Sequence, residues 1–397
     1  MSFKAAAGAI APELQQLRRT LHRIPEIGLL LPRTQAVVLE AIKDLGLEVT
    51  TGQNLSSVTA VLRGNGSGGP VVLLRGDMDA LPVVEESDEE YVSEHLGAMH
   101  ACGHDLHTAG LVGAARLLSA RRDELSGDVV FMFQPGEEGH DGAAHMIEEG
   151  VLEAAGRPVD AAYGLHVMSA MLPTGVFSGR PDRLMAASDG LFVQVEGAGG
   201  HGSRPMETLD PIPVAAQMVT ALQNLVTRRF DVFDPVVLTV GSFHSGTRRN
   251  VIPDDATFEA TVRTFSAQAR DRMAELAPKL CRDIASANGL VANVQYEREY
   301  PATINNPTEY AFVADTVRDV FGEKRYEPLA HPIMGSEDFS RVLNRVPGAY
   351  IFLGASKSED ASLAPANHSP RAAFDDAVVA DGAALLAELA VRRMNRS

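Results

Sequence analysis

A chain of 397 residues is too long for one ordinary hydrophobic core and reads as two domains, each large enough to stand without covalent staples. Its 52 acidic against 35 basic residues leave a net charge of -17, which repels nucleic acid and anionic membrane and argues against both as partners. Two cysteines, Cys102 and Cys281, cannot build a disulfide framework, so a reduced, cytoplasmic compartment is expected and the thiols are left for other chemistry. The N-terminal stretch lacks the basic-then-apolar order of a leader, and no run approaches the roughly 18 apolar residues of a membrane span.

In chain order, residues 11–23 and 33–45 carry helical spacing, and "SVTAVLRG" and "PVVLLRGDMDALP" read as strands. A helix over about 104–120 precedes the strand "GDVVFMFQPGEEG", which runs into a glycine-rich acidic loop. A short helix over 141–149 and the strand "VDAAYGLHV" follow. This alternation predicts an α/β fold, a mixed sheet flanked by helices, with ligands bound beyond the strand ends.

After about residue 184 the pattern changes. "DGLFVQVEG" is a strand, 210–229 a helix, "PVVLTVGSFH" and "ATFEATVRTF" strands, 266–288 a helix and "VANVQYERE" a strand. That order, βαββαβ, is the ferredoxin-like motif. From about 298 the first style returns, with a helix near 307–321, a helical "SEDFSRVLNRV", the strand "GAYIFLGA" and a closing helix from about 375. The expected architecture is one α/β domain over 1–184 and 298–397, interrupted by a small domain over 185–297.

Four segments bring metal-ligating side chains to predicted strand ends or loops. Cys102 and His104 in "HACGHDLHTAG" stand at a helix start, where the dipole favours a thiolate. Glu137 and Glu138 in "QPGEEG" close a strand; neighbouring side chains point apart, so one can ligate while the other serves as a base. His166 in "YGLHVM" closes another strand, and His368 lies in the polar loop "APANHSP". Asp77 and Asp79 in "RGDMDALP" are placed to orient imidazoles from behind. Each alone is ordinary: a strand-end histidine, a solvated glutamate pair, a buried cysteine. Their joint placement at successive strand ends makes the metal site. His107, one turn after His104, is a candidate supporting residue, and His100 reads as buried structure, with a similar supporting part as the alternative. His22, His95, His244 and His331 are structural or surface residues, and His140 and His145 helix surface.

Together "MHACGHDLHTAG", "FQPGEEG", "GAAHMIEEGVL", "GLHV", "GAGGHGSRP", "NVIPD" and "GSEDFS" resemble the binuclear metallopeptidase family of aminoacylases and glutamate carboxypeptidases, in its amidohydrolase branch. That branch contains hippurate hydrolases, auxin-conjugate (IAA-amino acid) hydrolases, N-acetyl-diaminopimelate deacetylases and N-acyl-amino-acid hydrolases. The resemblance runs from about residue 14 to about residue 390. It implies two divalent metal ions held by Cys102, His104, Glu138, His166 and His368, with Cys102 bridging and Glu137 as general base. It makes the inserted domain a lid and dimerisation domain, and the protein a homodimer or higher homo-oligomer. His201 and Asn250 match lid positions that bind substrate and the developing oxyanion, in their own subunit or in a partner.

The implied reaction is hydrolysis of the amide of a small N-acyl amino acid, acetyl, benzoyl or another acyl group, by a metal-activated water. Arg263 in "TVRTF" is a candidate for the substrate carboxylate, with pairing to Glu259 or Glu207 as the alternative. A thiolate favours zinc, while the carboxylates and imidazoles accept manganese, cobalt or nickel. Met206 stands where similar sequences usually carry histidine, Arg248 and Arg249 make the stretch before Asn250 more basic, and His140 stands where a small residue is common. Two other readings remain at this stage. One is a metallo-carboxypeptidase or dipeptidase on short peptides; the other is a non-catalytic binding protein that metals hold together.

Overall fold

A computed structural model describes residues 1–65 and 68–396. The chain divides into two compact units: Met1–Leu184 with Ile304–Pro332 and Asp338–Ser397, and Met185–Thr303 with Ile333–Glu337. In the first unit the helices α1 (Phe3–Arg23) and α2 (Pro32–Ile42) lead into β1 (Glu48–Thr51), β2 (Val58–Leu62) and β3 (Val71–Asp77). Then come α3 (His104–Ser119), β4 (Asp128–Gln134), α4 (Gly142–Glu148), β5 (Ala161–Met168) and β6 (Phe177–Gly179).

The second unit holds β7 (Ala187–Glu196), α5 (Pro211–Arg229), β8 (Val237–Ser245), β9 (Asp255–Thr264), α6 (Ala267–Ala287) and β10 (Val291–Arg298). The chain then returns to the first unit for α7 (Pro307–Phe321), β11 (Tyr326–Pro328), β12 (Gly348–Gly354) and α8 (Val379–Met394). No helix among the described residues is long and apolar enough to cross a membrane.

The first unit is built on an eight-stranded mixed sheet in the order β1-β2-β4-β3-β5-β12-β6-β11. Its middle, β4-β3-β5-β12, is parallel. "VVLLRGD", "DVVFMFQ" and "GAYIFLG" are buried along their whole length, as strands covered on both faces must be. Their chain direction brings Asp77, Gln134 and His166 to the same, C-terminal end of the sheet.

Behind it, α3 is almost wholly buried and packs on α1 and α8. Gly113 permits the approach: a Cβ there would lie 2.7 Å from both Ala383 Cβ and Leu14 Cδ1. Sequence periodicity placed the start of α1 at 11, but the helix begins at Phe3, because Ser2 caps Ala5 N–H and Phe3 and Ala7 extend the buried face of Leu14 and Leu21. The helical "SEDFSRVLNRV" shortens to Ser340–Leu343.

The second unit has a four-stranded antiparallel sheet in the order β8-β9-β7-β10, which is the ferredoxin-like arrangement of βαββαβ. Leu191, Val193 and Val195 alternate along β7 toward Met218 and Leu222 of α5 and Met273 and Ala277 of α6. Asp210 caps α5 at Ile212 N–H and Ser266 caps α6 at Ala269 N–H. Residues 298–303 and 333–337, expected in the first domain, cluster with this unit. Tyr300 O accepts from Ser188 N, and Ile333 O and Gly335 O accept from Ala186 N, which stitches both stretches to β7 and the residue before it.

Leu222→Ala, in the fully buried face of α5, is expected to lower the unfolding free energy by about 2–5 kcal/mol through lost transfer energy and a residual cavity. Urea unfolding measures it; a loss under about 1 kcal/mol would mean that this face is not tightly packed.

Candidate metal centre

The site begins where α3 starts. Gly103 adopts φ +81, and a Cβ there would meet Val167 Cγ2 at 2.4 Å, so only glycine lets the chain turn tightly between Cys102 and His104. Beyond β4, Gly136 and Gly139 bracket the glutamate pair with φ of +72 and +79. Asp79 grips that turn: one carboxylate oxygen accepts from Glu137 N and the other from Glu138 N, each at 3.0 Å. His368 holds a left-handed φ of 72, and its N–H donates to Ala101 O at 2.9 Å, which docks its loop beside the cysteine.

These backbone placements converge the side chains. Cys102 Sγ lies 3.3 Å from His166 Nε2 and 3.3 Å from His368 Nε2, and His368 Nε2 is 3.1 Å from Glu138 Oε1. Cys102, His104 and His166 form one group of ligand atoms within 4.8 Å of one another, and Cys102, Glu138 and His368 a second. The thiol belongs to both. The structure thus brings together Cys102, His104, Glu138, His166 and His368, with Glu137 buried alongside.

The hydrogen bonds around the histidines fix their tautomers. His166 Nδ1 donates to Val167 O at 2.8 Å, which leaves the Nε2 lone pair facing Cys102. Burial, then His107 and His104, push this imidazole well below its usual pKa, so it stays neutral. His107 is different. Its Nε2 must accept, because Val167 N–H donates to it at 2.8 Å, so the proton sits on Nδ1, 2.5 Å from Asp77 Oδ1. Both nitrogens are used, and His107 supports β5 and is no ligand. Burial pushes Asp77 up, but Arg75, His104 and His107 outweigh it and hold the carboxyl well below its ordinary range.

His104 is fully buried, and neither ring nitrogen has a hydrogen-bond partner; Asp79 Oδ1 is 3.4 Å from Nδ1 and Asp77 Oδ2 3.6 Å from Nε2. Burial depresses its pKa, yet Asp77 and Cys102 raise it well above normal. Glu138 Oε1 is likewise buried without a hydrogen bond. Unsatisfied nitrogen and oxygen donors around a thiol, with carboxylates behind them, fit divalent cations that complete the site.

Asn367 was not singled out in the sequence, although it precedes His368. Its Nδ2 donates to Cys102 O at 3.3 Å and Val167 O at 3.0 Å, and its Oδ1 accepts from Ser169 N at 2.9 Å, so it ties three ligand-bearing segments. His22 is buried between Asp105 Oδ2 at 2.7 Å and Glu85 Oε1 at 3.2 Å, and burial pushes His100 down to about 4.

In the second unit, His201 pairs with Val251 across a short ladder, and Asn250 O accepts from Gly202 N at 2.9 Å. His201 Nδ1 accepts from Ser203 N at 3.2 Å, which puts the ring proton on Nε2. Arg263 donates to Ser188 Oγ at 2.6 Å and to Val262 O, whereas Glu207 pairs with Arg204. Arg263 therefore takes neither of the glutamate partners considered from sequence.

Residues 73–392 match peptidase family M20/M25/M40, most of the chain. The chain belongs to that family. This M20 hydrolase is 39% identical to thermostable carboxypeptidase 2 of Saccharolobus solfataricus, over 96% of this chain and 95% of the relative. It is 36% identical to IAA-amino acid hydrolase ILR1-like 5 of Arabidopsis thaliana, over 95% and 85%, and 34% identical to N-acetyl-L-cysteine deacetylase of Bacillus subtilis, over 96% and 88%. Among solved structures it superposes with TM-score 0.83 and 31% identity on the Bacillus subtilis YxeP protein, described as a dinuclear metal binding peptidase of the M20 family, covering 98% of this chain and 99% of that one. The family resemblance read from the motifs is borne out.

Cys102→Ala is expected to lower bound metal, measured by elemental analysis after dialysis, because the thiol belongs to both ligand groups. Full metal content in that variant would remove it from the site. The adjacent Cys102 thiol and then the Glu138 carboxylate raise His368 to about 10, so without metal it carries a proton at pH 8 that ligation must expel. Metal affinity should therefore fall as pH is lowered below about 10. Calorimetry in buffers of different ionisation enthalpy should show proton release on metal uptake, and no buffer dependence would count against His368 as a ligand.

Proposed function

We propose that this M20 hydrolase cleaves the amide of N-acyl amino acids to a free amino acid and a carboxylic acid, with two divalent ions, zinc or manganese, at Cys102, His104, Glu138, His166 and His368. The observation that carries the reading is the glutamate pair. Glu138 stands in the ligand cluster, while the adjacent Glu137 is buried, offers a carboxylate beside it, and shares the backbone grip of Asp79. A purely structural site has no use for such a base. The names of the IAA-amino acid hydrolase and the N-acetyl-L-cysteine deacetylase support an N-acylated amino acid as substrate.

The ions, when bound, supply Lewis-acid polarisation of water and of the scissile carbonyl. Glu137 takes a proton from the attacking water as its oxygen bonds to the carbonyl carbon, and returns that proton to the amide nitrogen as the C–N bond breaks. Asp79 and the flanking glycines hold the Glu137 backbone, which limits where its carboxylate can reach. His201 donates from Nε2 to the developing oxyanion, with Asn250 and Arg263 as further donors to the substrate. We place the enzyme in the cytoplasm as a homodimer or higher homo-oligomer, in keeping with its free thiols.

The similarity to a carboxypeptidase favours a second reading, hydrolysis of short peptides by the same residues. After chelation and restoration of zinc or manganese, release of amino acid from N-acetyl, N-benzoyl and indole-acetyl conjugates should exceed release from dipeptides. The reverse order would assign the chain to peptides. Glu137→Gln should lower kcat by about 10²–10⁴-fold with metal content unchanged; near-wild-type turnover would sink its role as base.

A further inference from the structure

The "GSEDFS" stretch supplies none of the five proposed ligands, yet its Asp338 is completely buried and brings a carboxylate oxygen within 4.8 Å of that of Glu137. Asp338 accepts from Gln134 Nε2 at 2.8 Å on both oxygens, from Ala143 N at 2.9 Å and from Arg75 Nη2 at 3.0 Å. Gln134 ends β4 and Ala143 lies in the first turn of α4, so this one carboxylate bonds both flanks of the turn that carries Glu137 and Glu138. The turn closes on itself where Gly142 N donates to Gly136 O at 3.0 Å. Three residues on, Arg341 clasps Asp141, the residue before α4, with Nη2 at 2.6 Å and Nε at 3.1 Å.

The connection runs further. Arg75 donates through Nη1 to Asp77 Oδ2 at 2.5 Å and through Nε to Gln134 Oε1 at 2.9 Å. Asp77 in turn holds the His107 Nδ1 proton. A single buried carboxylate thus reaches the glutamate turn on one side and, through Arg75, the support of the histidines on the other. Asp338 is also the residue at which the chain re-enters the first unit after the 333–337 stretch of the second.

We propose that Asp338 and Arg341 are positioning residues for the reaction: they clamp the turn so that Glu137 is presented as base and Glu138 as ligand at the same time. The inference rests on the amide-hydrolysis reading for its kinetics and on the metal site alone for its spectroscopy. Fixing a reacting group from outside the ligand set typically carries about 10–100-fold in activity. Asp338→Asn is the severe test, because the groups named above all donate and the new amide would set a donor against them. Arg341→Met is the milder one, acting on a pair about one-third exposed, where an ion pair contributes little to stability.

The experiment uses the full chain saturated with cobalt(II), read by visible absorption and by kinetics on the best N-acyl amino acid. The expected result for Asp338→Asn is an altered cobalt spectrum and a kcat lower by about 10–100-fold with KM within about threefold, and for Arg341→Met a smaller change in the same direction. A merely structural role would lower the unfolding midpoint and leave the spectrum and kcat of the folded protein unchanged. Unaltered spectra and kcat within about twofold in both variants would overturn the proposal. If Asp338→Asn does not fold, Arg341→Met decides alone. A wild-type protein inert toward amides would defeat the proposed function instead, and the cobalt spectra would still decide whether the clamp shapes the site.

Discussion

Two consecutive N–H groups on the two oxygens of Asp79 are the contact from which the rest of the centre follows. Once both amides are pinned, the Glu137 and Glu138 carboxylates are held side by side, with oxygens within 4.8 Å of each other and of the His104 ring. That adjacency is what the proposed chemistry needs: one carboxylate as ligand and its neighbour beside it as base. The glycines at 136 and 139 supply the left-handed conformations that let both amides face Asp79, and Asp79 itself follows a strand buried from Val71 to Asp77. The rigidity of the sheet is thereby transmitted to a loop.

Burying so many charged groups at one sheet end is unfavourable unless each is paired. Arg75 and Asp338 are both buried and ion-paired, Arg75 also reaching Asp77, and its guanidinium lies 5.6 Å from the Phe339 ring centroid. Removing one member would strand a charge, which destabilises far more than the intact pair stabilises. Such a network gains little net stability over an apolar core of equal volume. Its return is geometric, since hydrogen-bonded charges accept one arrangement where apolar side chains accept several.

The cluster of candidate ligands was legible in the sequence because each member sits in a strand-end or loop context whose chemistry has few other uses when taken together. The glutamate pair follows an apolar run and a Pro-Gly, and Cys102 and His104 open a helix. The ferredoxin-like unit was legible from its alternation, since Leu191, Val193 and Val195 mark a half-buried strand without ambiguity. What escaped was long-range. Asn367 and Asp338 act through hydrogen bonds to residues some 200 positions or more away, and nothing local distinguishes a structural Asn or Asp from a solvated one. Strand β1 escaped because it is an exposed edge with no apolar period, and the tautomer of His107 because it depends on an amide of another strand.

The same separation in sequence bears on how the centre is held. Strand β12 pairs with β5 in parallel, Phe352 opposite His166, so the strand beside one ligand is supplied from beyond the inserted unit. His368 follows only after β12, and Cys102, Glu138 and His166 all precede the insertion. The second unit is nearly continuous and can close its core from local contacts, whereas the first must bring its C-terminal third back across the insertion before the ligands meet. Ions bound at Cys102 and His368 would tie the two ends of that long loop together. They favour the native state by mass action, because the unfolded chain holds no preformed set of these five side chains.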